Sequence, residues 1–221
     1  MYVFQEGDVL LFPSSMLHYV EPNEVDFDRL RFYCAWDLAI GQRERNDYSV
    51  GVVVGVDEYD NLYVVDCVRG KYDGFELVEQ ILDLYETWRP HVVGIEKGHI
   101  EMALGPFLQK RVRERGLNEA YFKDLKVGRR DKEARARAIQ GRMQQGMVYF
   151  PKDPVWVGPL IAELLRFPNG VHDDQVDALA WIGLMMTEFA TFVEKIEHEP
   201  SWRDKLKYLA KSDKRKSAMS S

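Results

Sequence analysis

Residues 48–70 read YSVGVVVGVDEYDNLYVVDCVRG, two valine-rich runs separated by a polar stretch at 57–61. Valine-rich runs of this length favour β-strands, and the Asp, Glu and Asn residues between them are typical of a turn. The stretch therefore predicts a β-hairpin. A hairpin makes neighbouring strands antiparallel, whereas helical crossovers make them parallel, so a hairpin followed by alternating helices and strands predicts a mixed sheet.

The sequence on both sides of this hairpin has that alternation. Upstream, RLRFYCAWDLA (29–39) is an apolar and aromatic run that predicts a buried strand ending on Asp37. Downstream, HVVGIEKG (91–98) predicts a short strand that ends on Glu96. The other segments predict helices at 73–90, 100–115, 131–145, 157–167 and from 173 onward, with strands at 121–127 and 147–150. We expect an α/β fold with a mixed central sheet flanked by helices on both faces.

Length and composition fit one such domain with tails. Of the 221 residues, 46% are apolar, enough to bury a single good-sized core. We expect this domain at 29–195, an N-terminal extension at 1–28 and a basic, flexible C-terminal tail at 196–221. The two cysteines lie in apolar runs, so neither a disulfide framework nor a cysteine metal site is expected. No run approaches the roughly 20 apolar residues of a membrane span, so we expect a soluble protein in a reducing, intracellular compartment.

The net charge of −6 is distributed unevenly along the chain. Residues 1–30 are acidic, whereas 123–145 and 201–216 are basic. A local basic segment matters more for nucleic-acid binding than the total charge. The segment supplies five candidate contacts to DNA phosphates: Arg129, Arg130, Lys132, Arg135 and Arg137. The alternative is a solvated helix face whose charges pair with one another.

Acidic residues are placed at three points of this element order. Asp37 and Glu96 each end a strand, and Asp173, Asp174 and Asp177 stand at the start of the last helix. If the two strands are parallel neighbours, their carboxyl ends bring Asp37 and Glu96 together. Residues three or four apart share a helix face, so the late aspartates can point at one spot. Asp173 alone is also explained as a helix cap.

Carboxylates that converge repel one another unless a proton or a cation intervenes. Oxygen ligands without cysteine or a histidine cluster suit hard divalent ions, Mg²⁺ or Mn²⁺. Two such ions about 4 Å apart can activate a water and stabilise the leaving oxygen of a phosphodiester. The three acidic points therefore predict metal-dependent phosphoryl chemistry of the nuclease type.

This layout of strand-end Asp, hairpin, strand-end Glu and late helix with Asp resembles the RNase H-like, or retroviral-integrase-like, superfamily. Within it, four segments are similar to the C-terminal nuclease domain of large terminase subunits, the packaging motors of tailed bacteriophages and herpesviruses. The segments are CAWDLA (34–39), VVGIEKG (92–98), GRRDKEARA (128–136) and GVHDDQVDALAWIG (170–183). The resemblance covers about residues 29–187.

The resemblance implies an RNase H-like endonuclease that cuts concatemeric double-stranded viral DNA at the start and end of genome packaging, with divalent metal. It implies Asp37 as the first metal ligand, Glu96 as the second and the pair Asp173 and Asp174 as the third. Asp174 is favoured within that pair, so the catalytic set is Asp37, Glu96 and Asp174. Asp177 resembles a fourth acidic residue of the resolvase relatives. The basic segment at 129–137 would match the basic segment that lies near DNA in proteins of this family.

The phosphate-binding pattern G-x-x-x-x-G-K-[ST], which the ATPase of complete large terminases carries, does not occur in the sequence. We therefore expect an excised nuclease domain, or a stand-alone relative, that cleaves DNA without ATP. The resemblance implies the terminase ATPase domain, the small terminase subunit and the portal as partners, in the cytoplasm of an infected host cell, with no membrane.

Two other functions remain open at this point. A Holliday-junction resolvase of the same superfamily would prefer four-way junctions and act as a dimer. A non-catalytic DNA-binding or docking module of the packaging motor would bind DNA in a salt-dependent way and would be indifferent to Glu96→Ala.

Overall fold

The structure is a computed structural model, and it describes residues 12–21, 25–39, 48–96, 105–125, 132–170 and 172–197. For residues 132–134 and 190–197 it describes the backbone alone. The candidate DNA contacts Arg129 and Arg130 lie outside the described residues, as do 1–11 of the N-terminal extension and 198–221 of the C-terminal tail.

Strands and helices alternate after an initial hairpin, as the sequence predicts. The strands are β1 (His18–Val20), β2 (Arg31–Asp37), β3 (Ser49–Val56), β4 (Leu62–Gly70), β5 (Val92–Glu96), β6 (Phe122–Leu125) and β7 (Val148–Pro151). The helices are α1 (Gly74–Trp88), α2 (Gly105–Glu114), α3 (Lys132–Gln144), α4 (Val157–Leu164) and α5 (Asp174–Glu197).

Within the described residues the strands form one seven-stranded sheet in the order β1-β7-β4-β3-β2-β5-β6. Strand β3 is antiparallel to both of its neighbours, because it forms the predicted hairpin with β4 and a second antiparallel pair with β2. The other neighbours pair in parallel. The carboxyl ends of β2, β4 and β5 therefore lie at the same edge of the sheet, which we call the carboxyl edge.

Helices cover both faces of this sheet. On one face, α1 packs its apolar side against residues of β2 and β5, including Trp36 and Ile95. Local signals fix α1, because Asp73 caps its first turn in a capping box with Glu76. On the opposite face, a Cβ added to Gly94 of β5 would lie 2.6 Å from Sδ of Met185 in α5. The absence of a side chain at Gly94 therefore lets α5 lie close to the sheet.

The N-terminal extension contributes to the sheet. Residues 18–20, which the sequence analysis places before the domain, form β1 and pair in parallel with β7. Upstream of β1, the buried Phe12 contacts Phe167, with ring centroids 6.0 Å apart. Part of the predicted extension is thus packed against the predicted domain.

The chain divides into two compact units, residues 1–185 and 186–221. The first contains the sheet and the start of α5. Among the residues that the structure describes, no helix is long and apolar enough to cross a membrane.

Candidate active site

Asp37 and Glu96 lie side by side at the carboxyl edge. Strands β2 and β5 are parallel neighbours, and Trp36 of β2 pairs with Ile95 of β5. Asp37 and Glu96 are the next residues on each strand, so they stand at the same level on strands about 4.8 Å apart. Both are half-buried. The structure thus confirms that the two strands are neighbours, as expected from the sequence.

Helix α5 crosses the sheet over a single row of paired residues. The row runs from Cys67 in β4 through Val52 and Ala35 to Gly94 in β5. At one end of the row, the thiol of Cys67 contacts Oε1 of Gln175 at 3.5 Å, and at the other end Gly94 meets Met185, ten residues further along α5. Ten helical residues span about 15 Å and three strand spacings about 14 Å, so α5 runs nearly perpendicular to the strands.

The next row on the same face, toward the carboxyl edge, contains the acidic residues of the strands. It runs from Arg69 in β4 through Val50 to Asp37 in β2, with Glu96 at the same level in β5. The first turn of α5 therefore lies close to β4, two strands away from Asp37. The start of α5, with Asp173 and Asp174, therefore lies near the carboxyl end of β4.

The three aspartates of α5 differ in their surroundings. Asp173 precedes the helix, and its carbonyl oxygen accepts a hydrogen bond from the Asp177 amide at 2.8 Å, which places it at the N-cap position. Asp174 is half-buried, with its Oδ2 atom shielded from solvent. Asp177 is buried and forms an ion pair with Arg135 of α3, at 3.4 Å between Oδ1 and Nη2.

The basic segment at 129–137 divides between the interior and the surface. The Arg135 guanidinium lies 5.1 Å above the Trp181 ring, and only 12% of its side chain is exposed. It is therefore a partner of α5 in this structure. Arg137 is exposed, whereas Lys132 begins α3 with a side chain outside the described atoms.

A buried polar network beside α5 contains a glutamate that no sequence pattern singles out. Glu163 of α4 is 8% exposed, and its carboxylate accepts hydrogen bonds from the Gln175 amide at 3.0 Å and from Gln175 Nε2 at 2.7 Å. Arg69 Nη1 lies 3.3 Å from the same carboxylate. The signal in the sequence is weak, since one Glu in an apolar helix resembles an ordinary surface position.

A cluster of aromatic and basic side chains lies next to this network, at the ends of β3 and β4. The Tyr48 ring has the Arg69 guanidinium 4.0 Å and the Lys71 ammonium 5.0 Å from its centroid. His172, which precedes the acidic pair of α5, meets Tyr48 edge-on at 5.7 Å. Positive charge therefore lies at the carboxyl edge near the acidic residues.

The donor set at this edge fits a hard cation, because Asp37, Glu96 and Asp174 offer oxygen ligands. Within the described residues, however, no three or more His, Cys, Asp or Glu side chains are grouped closely enough to hold a metal ion. The fold brings Asp37 and Glu96 together and places the start of α5 at the same edge. The carboxylates of the two strands and of α5 are not, however, grouped around one common metal position.

Comparison with known proteins agrees with this fold. A family model described as the terminase RNaseH-like domain matches residues 34–186. A search of curated proteins finds no match.

Solved structures of large terminase nucleases are similar to this chain. The large terminase nuclease of thermophilic phage G20c has a TM-score of 0.55 and 16% identity, over 78% of this chain and 96% of that one. The nuclease domain from Thermus phage P74-26 has a TM-score of 0.52 and 17% identity, over 76% and 90% of the two chains. A mutant of gp2c from the bacteriophage Sf6 large terminase subunit, with calcium, has a TM-score of 0.51 and 14% identity, over 69% and 88%.

These structures share with this chain the mixed sheet and flanking helices of the RNase H-like fold. The family match extends from the middle of β2 into α5, so it includes the strand-end carboxylates and the late aspartates. The chain belongs to the terminase RNaseH-like domain family.

Proposed function

We propose that this domain is a divalent-metal-dependent DNA endonuclease whose catalytic carboxylates are Asp37, Glu96 and Asp174. The observation that carries the proposal is the register of β2 and β5, which puts Asp37 and Glu96 at the same level of the edge where α5 begins. Asp173 stands next to Asp174 as a second candidate ligand. Asp177, the remaining candidate ligand, forms an ion pair with Arg135.

The chemistry of the site follows from its ligands. Carboxylates at one edge repel one another, and this repulsion favours the binding of Mg²⁺ or Mn²⁺. Such ions, when bound, lower the pKa of water and neutralise the charge that develops on a phosphodiester. The carboxylates of this chain would hold the ions, and the apolar part of α5 after Asp177 anchors the late aspartates to the sheet.

The proposed substrate is double-stranded DNA, bound through its phosphates. Lys71 is exposed at the carboxyl edge, and Arg137 is exposed on α3. Contacts of this kind position a duplex without reading its sequence. The family supports concatemeric viral DNA as the natural substrate, in the host cytoplasm, with the terminase ATPase domain, the small terminase subunit and the portal as partners.

Plasmid cleavage tests the proposal. The domain should nick or linearise supercoiled plasmid with Mn²⁺ or Mg²⁺, without ATP, and EDTA should abolish the activity. Asp37→Asn and Glu96→Gln should each lower the cleavage rate by about 100-fold or more, since metal ions contribute several kcal/mol and each 1.36 kcal/mol is a factor of ten. Glu58→Gln is the matched control, because Glu58 is an exposed carboxylate at the β3–β4 turn, on the opposite edge of the sheet.

DNA-binding measurements and cleavage of four-way junctions, run beside the plasmid assay, distinguish the alternatives. Salt-dependent DNA binding with no cleavage under either metal would contradict the enzyme and favour a docking module. A strong preference for four-way junctions over linear duplex would favour a resolvase. Equal activity of the Asp37→Asn variant and the parent would refute the assigned site.

A further inference from the structure

Glu163 is a buried carboxylate for which the proposed cleavage chemistry has no direct use. It lies near the end of α4, at the base of the first turn of α5. One of its oxygens, Oε2, accepts a hydrogen bond from the backbone amide of Gln175, and Oε1 accepts one from the Gln175 side chain. Both bonds hold the residue that directly follows Asp174.

The hydrogen bond from the Gln175 backbone amide to Glu163 fixes the start of α5. The first four amides of a helix have no partner within the helix, and Gln175 is the second residue of α5. Glu163 supplies a partner for this amide from a different helix, across 12 residues of sequence. Because the nitrogen of Gln175 is bonded to the carbonyl carbon of Asp174, fixing this amide also fixes the backbone of Asp174.

The third contact ties this helix start to the sheet. Arg69 Nη1 lies 3.3 Å from Glu163 Oε1, and Arg69 pairs with Val50, which in turn pairs with Asp37. Glu163 thus connects the first turn of α5 to the row of residues that contains Asp37. The thiol of Cys67, in the same strand as Arg69, also contacts the Gln175 side chain.

Burial of this carboxylate carries a cost that the network offsets only in part, so the pKa of Glu163 stays above its ordinary value. Desolvation raises the pKa of Glu163, and the hydrogen bonds from Gln175 and the charge of Arg69 act in the opposite direction. A buried charge of this kind is tolerated only when its partners are in place. Moving the start of α5 would therefore break contacts at this buried carboxylate.

We propose that Glu163 is a positioning residue, which holds the first turn of α5, and with it Asp174, at the carboxyl end of β4. The inference rests on the proposed function, because it takes Asp174 as a metal ligand. Glu163 itself does not contact the metal or the DNA. Groups that orient metal ligands typically change metal affinity or activity by about 10–100-fold when they are removed.

The test is the Mn²⁺ dependence of cleavage in Glu163 variants, with Mn²⁺ binding measured separately by the electron paramagnetic resonance of free Mn²⁺. Glu163→Ala should raise the Mn²⁺ concentration for half-maximal cleavage by about tenfold or more. Glu163→Gln keeps an oxygen that can accept the Gln175 amide, and should recover most of the parent's Mn²⁺ dependence. If Glu163→Ala does not fold, Glu163→Asp replaces it, because its shorter side chain keeps the charge but withdraws the acceptor.

Glu79→Ala is the matched control, because it also removes a glutamate that is paired with arginine, on the other face of the sheet. It should lower the melting temperature without changing the Mn²⁺ dependence. A folded Glu163→Ala or Glu163→Asp protein with the parent's Mn²⁺ dependence would overturn the inference and leave the proposed function intact. Failure of the parent itself to bind Mn²⁺ would instead overturn the proposed function.

Discussion

Arg135 and Arg137 lie two positions apart on α3 and carry the same charge, yet their side chains have different surroundings. Arg135 is nearly buried between Asp177 and Trp181 of α5, whereas Arg137 is exposed. A guanidinium next to a buried carboxylate contributes to folding, and an exposed one is available to DNA phosphates. The two arginines should therefore have separable effects.

Replacing Arg135 by alanine should destabilise the fold by about 3 kcal/mol, within the range for breaking a buried ion pair. Urea unfolding followed by circular dichroism measures the change. The matched variant Arg137→Ala should leave stability within about 0.5 kcal/mol of the parent. A loss of DNA affinity in a stable Arg135→Ala protein would contradict the assignment of Arg135 to the interior.

For DNA binding we expect the larger effect from the Arg137 variant and the smaller one from the Arg135 variant. Arg137→Ala should weaken binding to any duplex and reduce the slope of log affinity against log salt by about 1, as expected for one lost phosphate contact. Fluorescence anisotropy with duplexes of two unrelated sequences at several salt concentrations gives both numbers. An unchanged salt slope would remove Arg137 from the DNA interface.

Sequence reasoning could place Asp37 and Glu96 because each ends an apolar run, and strand ends are visible in a local pattern. It could not place Arg135 or Glu163. The partners of these residues lie 42 and 12 positions away, and the contacts depend on how α5 packs against α3 and α4.

Helices α3 and α5 pack against each other at a glycine. A Cβ added to Gly183 of α5 would lie 2.7 Å from the backbone nitrogen and 3.1 Å from Cα of Ile139 in α3. Backbone atoms cannot rotate away as a side chain does, so the close approach of the two helices requires glycine at this position. The contact keeps Arg135 within reach of Asp177.

Gly183→Ala should therefore destabilise the protein by about 1–3 kcal/mol, the cost of an added methyl group in a packed interior. Gly141→Ala is the matched control, since Gly141 lies in α3 and nothing stands within 4 Å of an added Cβ there. That change should be neutral or stabilise the helix by up to about 1 kcal/mol, because alanine favours helix more than glycine does. Equal melting temperatures of both variants would contradict the close packing.

Ion pairs connect α1 to α2 and to the residue that follows it. Glu79 of α1 accepts hydrogen bonds from Arg111 at 2.6 Å and from Arg115, and these bonds lower the pKa of Glu79 to about 2. Because the pKa is lower in the folded state than the ordinary value of 4.5, ionised Glu79 stabilises the fold above pH 4.5. The contribution shrinks as the pH falls from about 4.5 toward 2.

Glu79→Gln should accordingly be less stable than the parent at pH 7, by up to about 1 kcal/mol, since the pair is partly solvated. Urea unfolding between pH 7 and pH 3 gives the difference in free energy of unfolding between the parent and the variant. This difference should be constant near pH 7 and smaller at pH 3. A difference that grows as the pH falls would have the wrong sign for a carboxylate with a lowered pKa.

The long elements were predictable because their apolar periods are local. Strand β1 was not, since His18–Val20 is three residues long and pairs with Tyr149 and its neighbours, about 130 positions away. A strand this short forms only because the edge of β7 offers unpaired backbone groups.

The chain as a whole is acidic, and its proposed reaction takes place at one edge of the sheet. The hairpin and the alternation that follows it predicted a mixed sheet with helices on both faces, and the structure confirms this. Beyond the β3–β4 hairpin and the β2–β5 pair, the order of the strands was not predicted, because the pairing of β4 with β7 depends on how the connecting helices cross the sheet and not on local sequence.

Asp37, Glu96 and Asp174 are proposed to share one divalent metal site. The decisive experiment is a crystal of the domain soaked in Mn²⁺ and measured at the manganese absorption edge. We expect an anomalous peak within about 2 to 2.5 Å of carboxylate oxygens of Asp37 and of Asp174 or Asp173, with Glu96 beside it. A peak elsewhere in the molecule, or none at the carboxyl edge at millimolar Mn²⁺, would refute the proposed metal site.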